Sequence, residues 1–293
     1  MLELEARAEP SRLMAWASPL LAVALMLVGG LAVFAALGKD PVEGFRVFFL
    51  NPVKDLYALS ELLLKATPLM LCAIGLAIGF RANVWNIGAE GQFMLGAVAA
   101  TGVALYFGDA ESALVLPAMV LAGAAGGAAW AAIPALLRTR FNANEILVSL
   151  MLVYVAQLFV SWLVFGPWKD PDGFNFPQTR MFAEAATLPM VIEGPRLHLG
   201  FAIALAALVA GYAFMNRSHA GFRMRVAGEA ADAARYAGFS ATRMIWVGLL
   251  LGGAAAGLAG MGEVAGPMGQ LTDKVASGYG FAAIIVAFVG RLN

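Results

Sequence analysis

Charge is what this 293-residue chain has least of. Asp, Glu, Lys and Arg make up 13% of it, against about 25% in soluble domains. Nineteen basic residues balance nineteen acidic ones, so the formal net charge is zero and nothing points to nucleic acid as a partner. Cysteine is nearly absent: Cys72 stands alone in an apolar segment, which rules out an intrachain disulfide or a thiolate cluster. The two histidines, His198 and His219, are far apart and lack ligand spacing, so no metal centre is expected. There is no GxxxxGK[ST] phosphate loop and no GxSxG, HExxH or paired-cysteine motif. No catalytic residue or cofactor is therefore expected, and any energy source must be an ion gradient or another subunit.

What is present is hydrophobic sequence: 61% of the residues, with mean hydropathy +0.79. That composition describes a polytopic membrane protein, expected to be an all-α helix bundle. A span needs roughly 17–25 mainly apolar residues. The candidates are 13–37, 62–80, 87–107, 113–137, 146–166, 197–215 and 244–262. A final apolar run, 281–289, is too short to cross and reads as a re-entrant piece or as the start of more chain. This suggests about eight or more spans in one domain covering 1–293, including broken or re-entrant helices. The ending Val289-Gly290-Arg291-Leu292-Asn293 has no polar tail and reads as truncated. The first stretch exceeds the roughly 7–15 residues of a signal-peptide core, so it reads as a retained span.

Lys and Arg placement sets the orientation. Arg7 and Arg12 precede the first span, Arg138 and Arg140 follow the fourth, and Arg217, Arg223, Arg225, Arg235 and Arg243 lie in the loop before the seventh. Alternating spans put all three groups on one side, expected to be cytoplasmic: an N-terminus 1–12 and a loop 216–243. The loop 167–196 then lies outside, as a lid over the bundle or a surface for an external partner. The pairs Gly123/Gly127, Gly248/Gly252 and Gly253/Gly257 let helix backbones approach closely, within the chain or across a dimer face.

The segment Phe80–Gly96, FRANVWNIGAEGQFMLG, opens an otherwise apolar span with Arg81, Asn83, Trp85, Asn86, Glu90 and Gln92. Ionisable groups at bilayer depth cost about 2.5–3.5 kcal/mol on insertion scales and usually face a cavity or a partner. Two roles stay open. These residues either line a solute path or fix a helix break beside it; or Glu90 and Gln92 hydrogen-bond the exposed backbone of a kinked helix. Trp85 suits an interfacial anchor or a stacking platform. In the 216–243 loop, Glu229 and Asp232 early, Arg235 late and Gly238 after the end predict a short helix from Glu229 to Ala237 between Gly228 and Gly238. Such a helix docks on a partner protein, connects two spans, or lies on lipid headgroups.

Three segments together resemble the permease subunits of bacterial ABC importers for simple sugars, nucleosides and branched-chain amino acids. They are NVWNIGAEGQFMLG (83–96), NANEILVSLMLVYV (142–155) and the 221–238 segment. Within that family the nucleoside-type permeases are nearest, through NIGAEGQ, NEILVSLMLVYVA, Lys169-Asp170-Pro171 and Pro177-Gln178. The resemblance implies a multi-pass protein of the bacterial inner membrane. It implies three partners: an ABC ATPase subunit, a second and usually different permease chain, and a periplasmic or lipoprotein solute-binding protein. It also implies that Asn83, Trp85, Asn86, Glu90, Gln92, Asn144 and Glu145 border the substrate pathway. Arg223, Gly228, Glu229, Asp232, Arg235 and Gly238 would couple to the ATPase. The family's coupling segment often has Asn-Pro after the glycine, where this chain has Glu229-Ala230, so the helix start is expected to differ. A transporter of another class, ion-coupled and using Glu90 as its ion site, is the alternative. Sugar and branched-chain amino acid are the alternative substrates.

Overall fold

The computed structural model describes residues 11–108, 111–191 and 194–290. Arg7 and Arg291, with the remaining ends of the chain, lie outside them. Among the described residues the regular structure is helical, and six helices are long and apolar enough to cross a membrane. Extended pairing is limited to two isolated bridges, Gln178 with Thr272 and Met190 with His198.

The chain divides into two units, Met1–Leu62 and Leu63–Asn293. The first holds α1 (Arg12–Ala36) and α2 (Pro41–Phe45). Gly38, at φ 67°, makes the turn between them. Asp40 caps α2 by accepting the Val42 N–H at 2.8 Å. Phe34 meets Phe45 edge-on at 6.0 Å between ring centroids, and Phe45 meets Phe49 at 5.5 Å, which folds α2 back on α1. Trp16, Leu20 and Leu25 are exposed, as side chains meant for hydrocarbon are.

The second unit is built on α3 (Leu56–Arg81, its last nineteen residues in this unit), α4 (Ala89–Phe107), α5 (Val115–Phe141), α6 (Glu145–Phe165), α7 (Gly200–Arg217) and α10 (Ala241–Glu263). The shorter α8 (His219–Glu229), α9 (Ala231–Tyr236) and α11 (Tyr279–Val289) complete it. The most extensive contacts join α10 to α5, α5 to α4 and α4 to α10. Glycine makes them. A Cβ on Gly127 would lie 2.1 Å from the Gly253 carbonyl oxygen, and one on Gly257 2.2 Å from that of Gly123. A Cβ on Gly260 would come 2.0 Å from the Phe93 oxygen, and one on Gly96 2.2 Å from the Gly257 Cα. On its other side α10 meets α3, where a Cβ on Gly75 would touch the Gly252 Cα at 2.9 Å. The GxxxG pairs are thus used inside the chain: Gly123/Gly127 against Gly253/Gly257, and Gly248/Gly252 against α3.

Helix α4 lies at the centre, with 12 of its 19 residues buried. It is not one of the six helices long and apolar enough to cross a membrane. A helix wrapped in protein rather than lipid tolerates Glu90 and Gln92 in its first turn. Helix α6 shows the opposite pattern: Leu147, Met151, Leu158, Trp162 and Phe165 are exposed, the dress of a lipid-facing helix. Three ends carry arginine: the end of α3 (Arg81), the end of α5 (Arg138, Arg140) and the α7–α10 connection. At the opposite end the 167–196 loop is tied to the stretch after α10. Thr179 N–H bonds the Leu271 carbonyl at 2.9 Å, Phe182 N–H that of Gly269 at 2.8 Å, and Leu188 N–H that of Ala265 at 2.7 Å.

A test follows from the glycine contacts. Gly257→Ala is expected to lower the unfolding temperature in detergent, at an overpacking cost of about 1–3 kcal/mol or more. Gly262→Ala, in the same helix with nothing within 4 Å of its Cβ, is expected to leave that temperature unchanged.

Candidate functional site

Helix α3 ends in a Schellman turn. Val84 N–H returns to the Gly79 carbonyl at 3.0 Å, Asn83 N–H to that of Phe80 at 3.0 Å, and Asn83 takes φ 55°. The chain then runs without helical bonds to Gly88. Gly252 locates this connector: its Cβ would lie 3.2 Å from Asn86 Nδ2 and 3.5 Å from the Gly75 oxygen. Gly75 is about 9 Å up α3 from Arg81 at 1.5 Å per residue, so the connector climbs back into the bundle and α4 starts inside it. Between the expected spans 62–80 and 87–107 the turn thus folds into the bundle.

Polar side chains close the gap in backbone pairing. Asn86 and Gln92 form a reciprocal amide pair: Asn86 Nδ2 donates to Gln92 Oε1 at 2.8 Å, and Gln92 Nε2 to Asn86 Oδ1 at 3.1 Å. Asn86 Oδ1 also accepts the Gly88 N–H at 3.0 Å. Ser149 Oγ accepts the Ile87 N–H at 3.2 Å. Trp85 donates Nε1–H to Asn83 Oδ1 at 2.8 Å and stacks on Phe288 with ring centroids 5.8 Å apart. Asn144 caps α6 by accepting the Ile146 N–H at 2.9 Å. Glu145 pairs with Arg138 and lies 3.5 Å from the Trp85 N–H. Asn83, Trp85, Asn86, Gln92 and Glu145 therefore belong to one assembly around the α3–α4 connector, while Asn144 caps the neighbouring α6.

Glu90 joins this connector to a second helix that starts inside the bundle. Its Oε1 accepts the Gly278 N–H at 2.7 Å and its Oε2 the Gly280 N–H at 2.5 Å. These are orphan donors at the start of α11, and an acidic group favours that position. Glu90 also lies in the first turn of α4, so one carboxyl group serves two helix N-termini. Gly278 adopts φ 86°, and a Cβ on Gly280 would collide with Glu90 N at 2.2 Å. From here α11 runs toward the Arg81 end, where Phe288 packs on Phe80 at 5.4 Å. The run 281–289 is thus a half-helix entered from the α10 side.

The predicted 229–237 helix needs correction. Glu229 closes an eleven-residue helix, α8, and α9 opens only at Ala231. Ala230, at φ −145°, ψ 75°, breaks the two apart. Gly228 lies against the α3–α4 turn, where a Cβ would sit 2.1 Å from the Arg81 oxygen. On the exposed side Asp232 pairs with Arg235, Arg223 lies over the Phe239 ring at 5.5 Å, Gly238 takes φ 76°, and Tyr236 is 97% exposed.

At the opposite end a cavity of about 510 Å³ is lined by Ala104, Trp168, Lys169, Arg180 and Phe182 among others. In the stretch before α7, buried His198 accepts the Gly200 N–H through Nδ1 at 3.1 Å. Burial pushes its imidazole down from 6.5 to about 4. No group of three His, Cys, Asp or Glu side chains converges as metal ligands among the described residues.

A helix bundle with two helices starting inside it, and an arginine-bearing pair of short helices packed on one of those starts, has the build of a membrane transport subunit. Residues 58–293 match the family model for the branched-chain amino acid transport system / permease component. The chain belongs to this family of ABC importer permeases, and it is a multi-pass protein of the cytoplasmic membrane. It is 41% identical to the glucose ABC transporter permease of Haloferax volcanii, over 99% of this chain and 78% of that one. With the guanosine ABC transporter permease of Bacillus subtilis the identity is 32%, over 93% and 78%. With the nucleoside ABC transporter permease of Lactococcus lactis it is 28%, over 93% and 77%. No solved structure gives a significant match. Permeases of this family work with an ATPase and a solute-binding protein, and they are not themselves enzymes.

Sequence reasoning missed Lys65, Glu263 and Tyr279, which form a cluster described below. The available signal was Lys65 as the one charge between Leu62 and Phe80.

Two outcomes are expected here. Glu90→Ala strands the Gly278 and Gly280 N–H groups, at about 1–3 kcal/mol each; hydrogen exchange of 278–282 is expected to speed up while that of α5 does not. For His198, the unfolded chain binds a proton between pH 6.5 and about 4 that the folded chain refuses. Packing of Leu188 and His198 on Ala265 and Gly266 is therefore full above pH 6.5. It weakens as pH falls toward 4, by up to about 1.4 kcal/mol per pH unit. Limited proteolysis of the 167–196 loop is expected to accelerate across that window, and less so in His198→Gln.

Proposed function

We propose that this chain is the membrane-spanning permease of an ABC importer for a small neutral solute bearing ring hydroxyls, a sugar or a nucleoside. The identity to the glucose permease along 99% of the chain carries this reading. A nucleoside is favoured by the NIGAEGQ and NEILVSLMLVYVA segments, a hexose by the higher identity to the glucose permease. The arginine-bearing end faces the cytoplasm. There α8 and α9 dock on the ATPase through Arg223, Asp232, Arg235 and exposed Tyr236, while Gly228 passes their movement to the α3–α4 turn. The solute crosses between this chain and a second permease chain, beside the frame built by Asn83, Trp85, Asn86, Glu90, Gln92, Asn144 and Glu145. A solute-binding protein delivers it over the 167–196 loop. Nothing in the comparisons favours an ion-coupled mechanism, and both Glu90 oxygens are taken up by N–H donors rather than left to coordinate a cation.

The test is reconstitution with the cognate ATPase, second permease and solute-binding protein, followed by uptake of labelled glucose and guanosine. Uptake of one or both is expected to need ATP hydrolysis and to survive an uncoupler. Gly228→Trp is expected to abolish uptake while the ATPase still hydrolyses. Uptake that persists without the ATPase and collapses with an uncoupler would sink the reading in favour of ion coupling.

A further inference from the structure

Lys65, Glu263 and Tyr279 meet from three elements. Lys65 Nζ donates to Glu263 Oε1 at 3.2 Å and to the Tyr279 hydroxyl at 2.9 Å. The Tyr279 hydroxyl lies 3.4 Å from the same Glu263 oxygen. The ammonium also sits 5.6 Å from the centre of the Tyr279 ring, which packs on Phe93 at 5.7 Å.

The cluster is open on one side. The Lys65 side chain is 57% exposed, that of Glu263 only 8%. With Arg81 at one face of a hydrocarbon layer about 30 Å thick, Lys65, about 24 Å along α3, still lies inside that layer. A half-exposed ammonium is costly against lipid, and such groups face a cavity or a partner. The polar residues of the connector differ: Asn86, Glu90 and Gln92 are 2%, 3% and 1% exposed and are taken up by one another and by backbone.

We propose that Lys65, Glu263 and Tyr279 form a solute-contact site on the wall of the aqueous pathway, recognising ring hydroxyls of a neutral sugar or nucleoside; this rests on the importer reading above. The chemistry selects that class. An ammonium with two of its three N–H bonds engaged offers one donor. The Glu263 carboxyl offers an acceptor beside it, and a hydroxyl uses both. The internal ion pair leaves no net charge to draw an ionic solute. The Tyr279 ring supplies an apolar face for the C–H surface of a sugar. Glu90 fixes the site's geometry from a distance, since it holds the backbone on both sides of Tyr279 at Gly278 and Gly280.

The experiment uses the assembled transporter. In a Cys72→Ala background, a Lys65→Cys thiol is expected to react with a membrane-impermeant maleimide, and more slowly in saturating glucose or guanosine, whichever is transported. Wild-type uptake is expected to favour that solute over its deoxy analogues by about tenfold or more, the worth of one charge-assisted hydrogen bond. Lys65→Met and Glu263→Gln are expected to bring the preference for at least one analogue close to one. Stimulation of the ATPase by the loaded binding protein reports intact assembly. A Lys65→Cys thiol that stays unlabelled, or unaltered discrimination in both other variants, overturns the site. A wild-type complex without ATP-driven uptake of either solute fails the importer reading instead, and thiol labelling still decides whether the cluster is wet.

Discussion

Close backbone contact between α4, α5 and α10 is the constraint on which the second unit depends. Hydrocarbon is as apolar as leucine, so burying leucine against leucine gains little in a membrane, and helices associate through tight packing and polar contacts. Gly96, Gly123, Gly127, Gly253, Gly257 and Gly260 remove the side chains that would hold these three helices apart. Packing this close leaves α4 with little exposure to lipid. A helix so placed can carry Glu90 and Gln92, and it can begin part-way through the bundle, because protein groups replace the water its first N–H groups lack.

The two internal helix starts share one solution. Each leaves donors without intrahelical partners, and hydrocarbon offers none. The α3–α4 connector uses Asn86, Gln92 and Ser149; α11 uses Glu90, itself in the first turn of α4. Asn86 and Gln92 satisfy each other as a neutral amide pair, while the acidic residue stands where two helix dipoles favour negative charge. Irregular backbone at membrane depth is tolerated only where protein or a water-filled cavity surrounds it. Here Asn86 and Gly88 of the connector are buried in protein, and the open polar face lies elsewhere, at Lys65, Glu263 and Tyr279.

Much of this was legible in the sequence, for definite reasons. Apolar runs bounded by loops gave the long helices, and α5, α6, α7 and α10 start and stop within a few residues of the expected places. The small-residue spacing in α5 and α10 gave packing glycines but not their partners, because spacing names a face and not what it meets. The polar segment 83–92 stood out by composition, yet its role as a cap for α11 depends on Gly278, nearly 190 positions away, which no local pattern reveals. Helix α8 was hidden because its arginines and glycines weaken both the apolar and the helical signal; Ser218, whose hydroxyl accepts the Gly221 N–H at 3.0 Å, starts it. Lys65 was overlooked because one charge hardly alters the hydropathy of a 26-residue helix, and Glu263 because it falls at a span's end, where charge is ordinary.

On the proposed function these contacts define a route from the ATPase end to the solute. Gly228 touches the Arg81 carbonyl without space for a methyl group, so α8 cannot advance unless the α3–α4 turn gives way. That turn leads through Asn86 to the start of α4, and Glu90 there is bonded to both sides of Tyr279. Tyr279 in turn holds Lys65 and Glu263. Close-packed contacts of this kind switch between arrangements rather than stretch. A shift of α4 relative to α11 large enough to break the Glu90 bonds would release Tyr279 from Lys65, so a single event would both unlock the half-helix and change the wall the solute touches. The acidic group that stabilises the resting bundle is, on this reading, the same group that makes the two ends of the pathway move together.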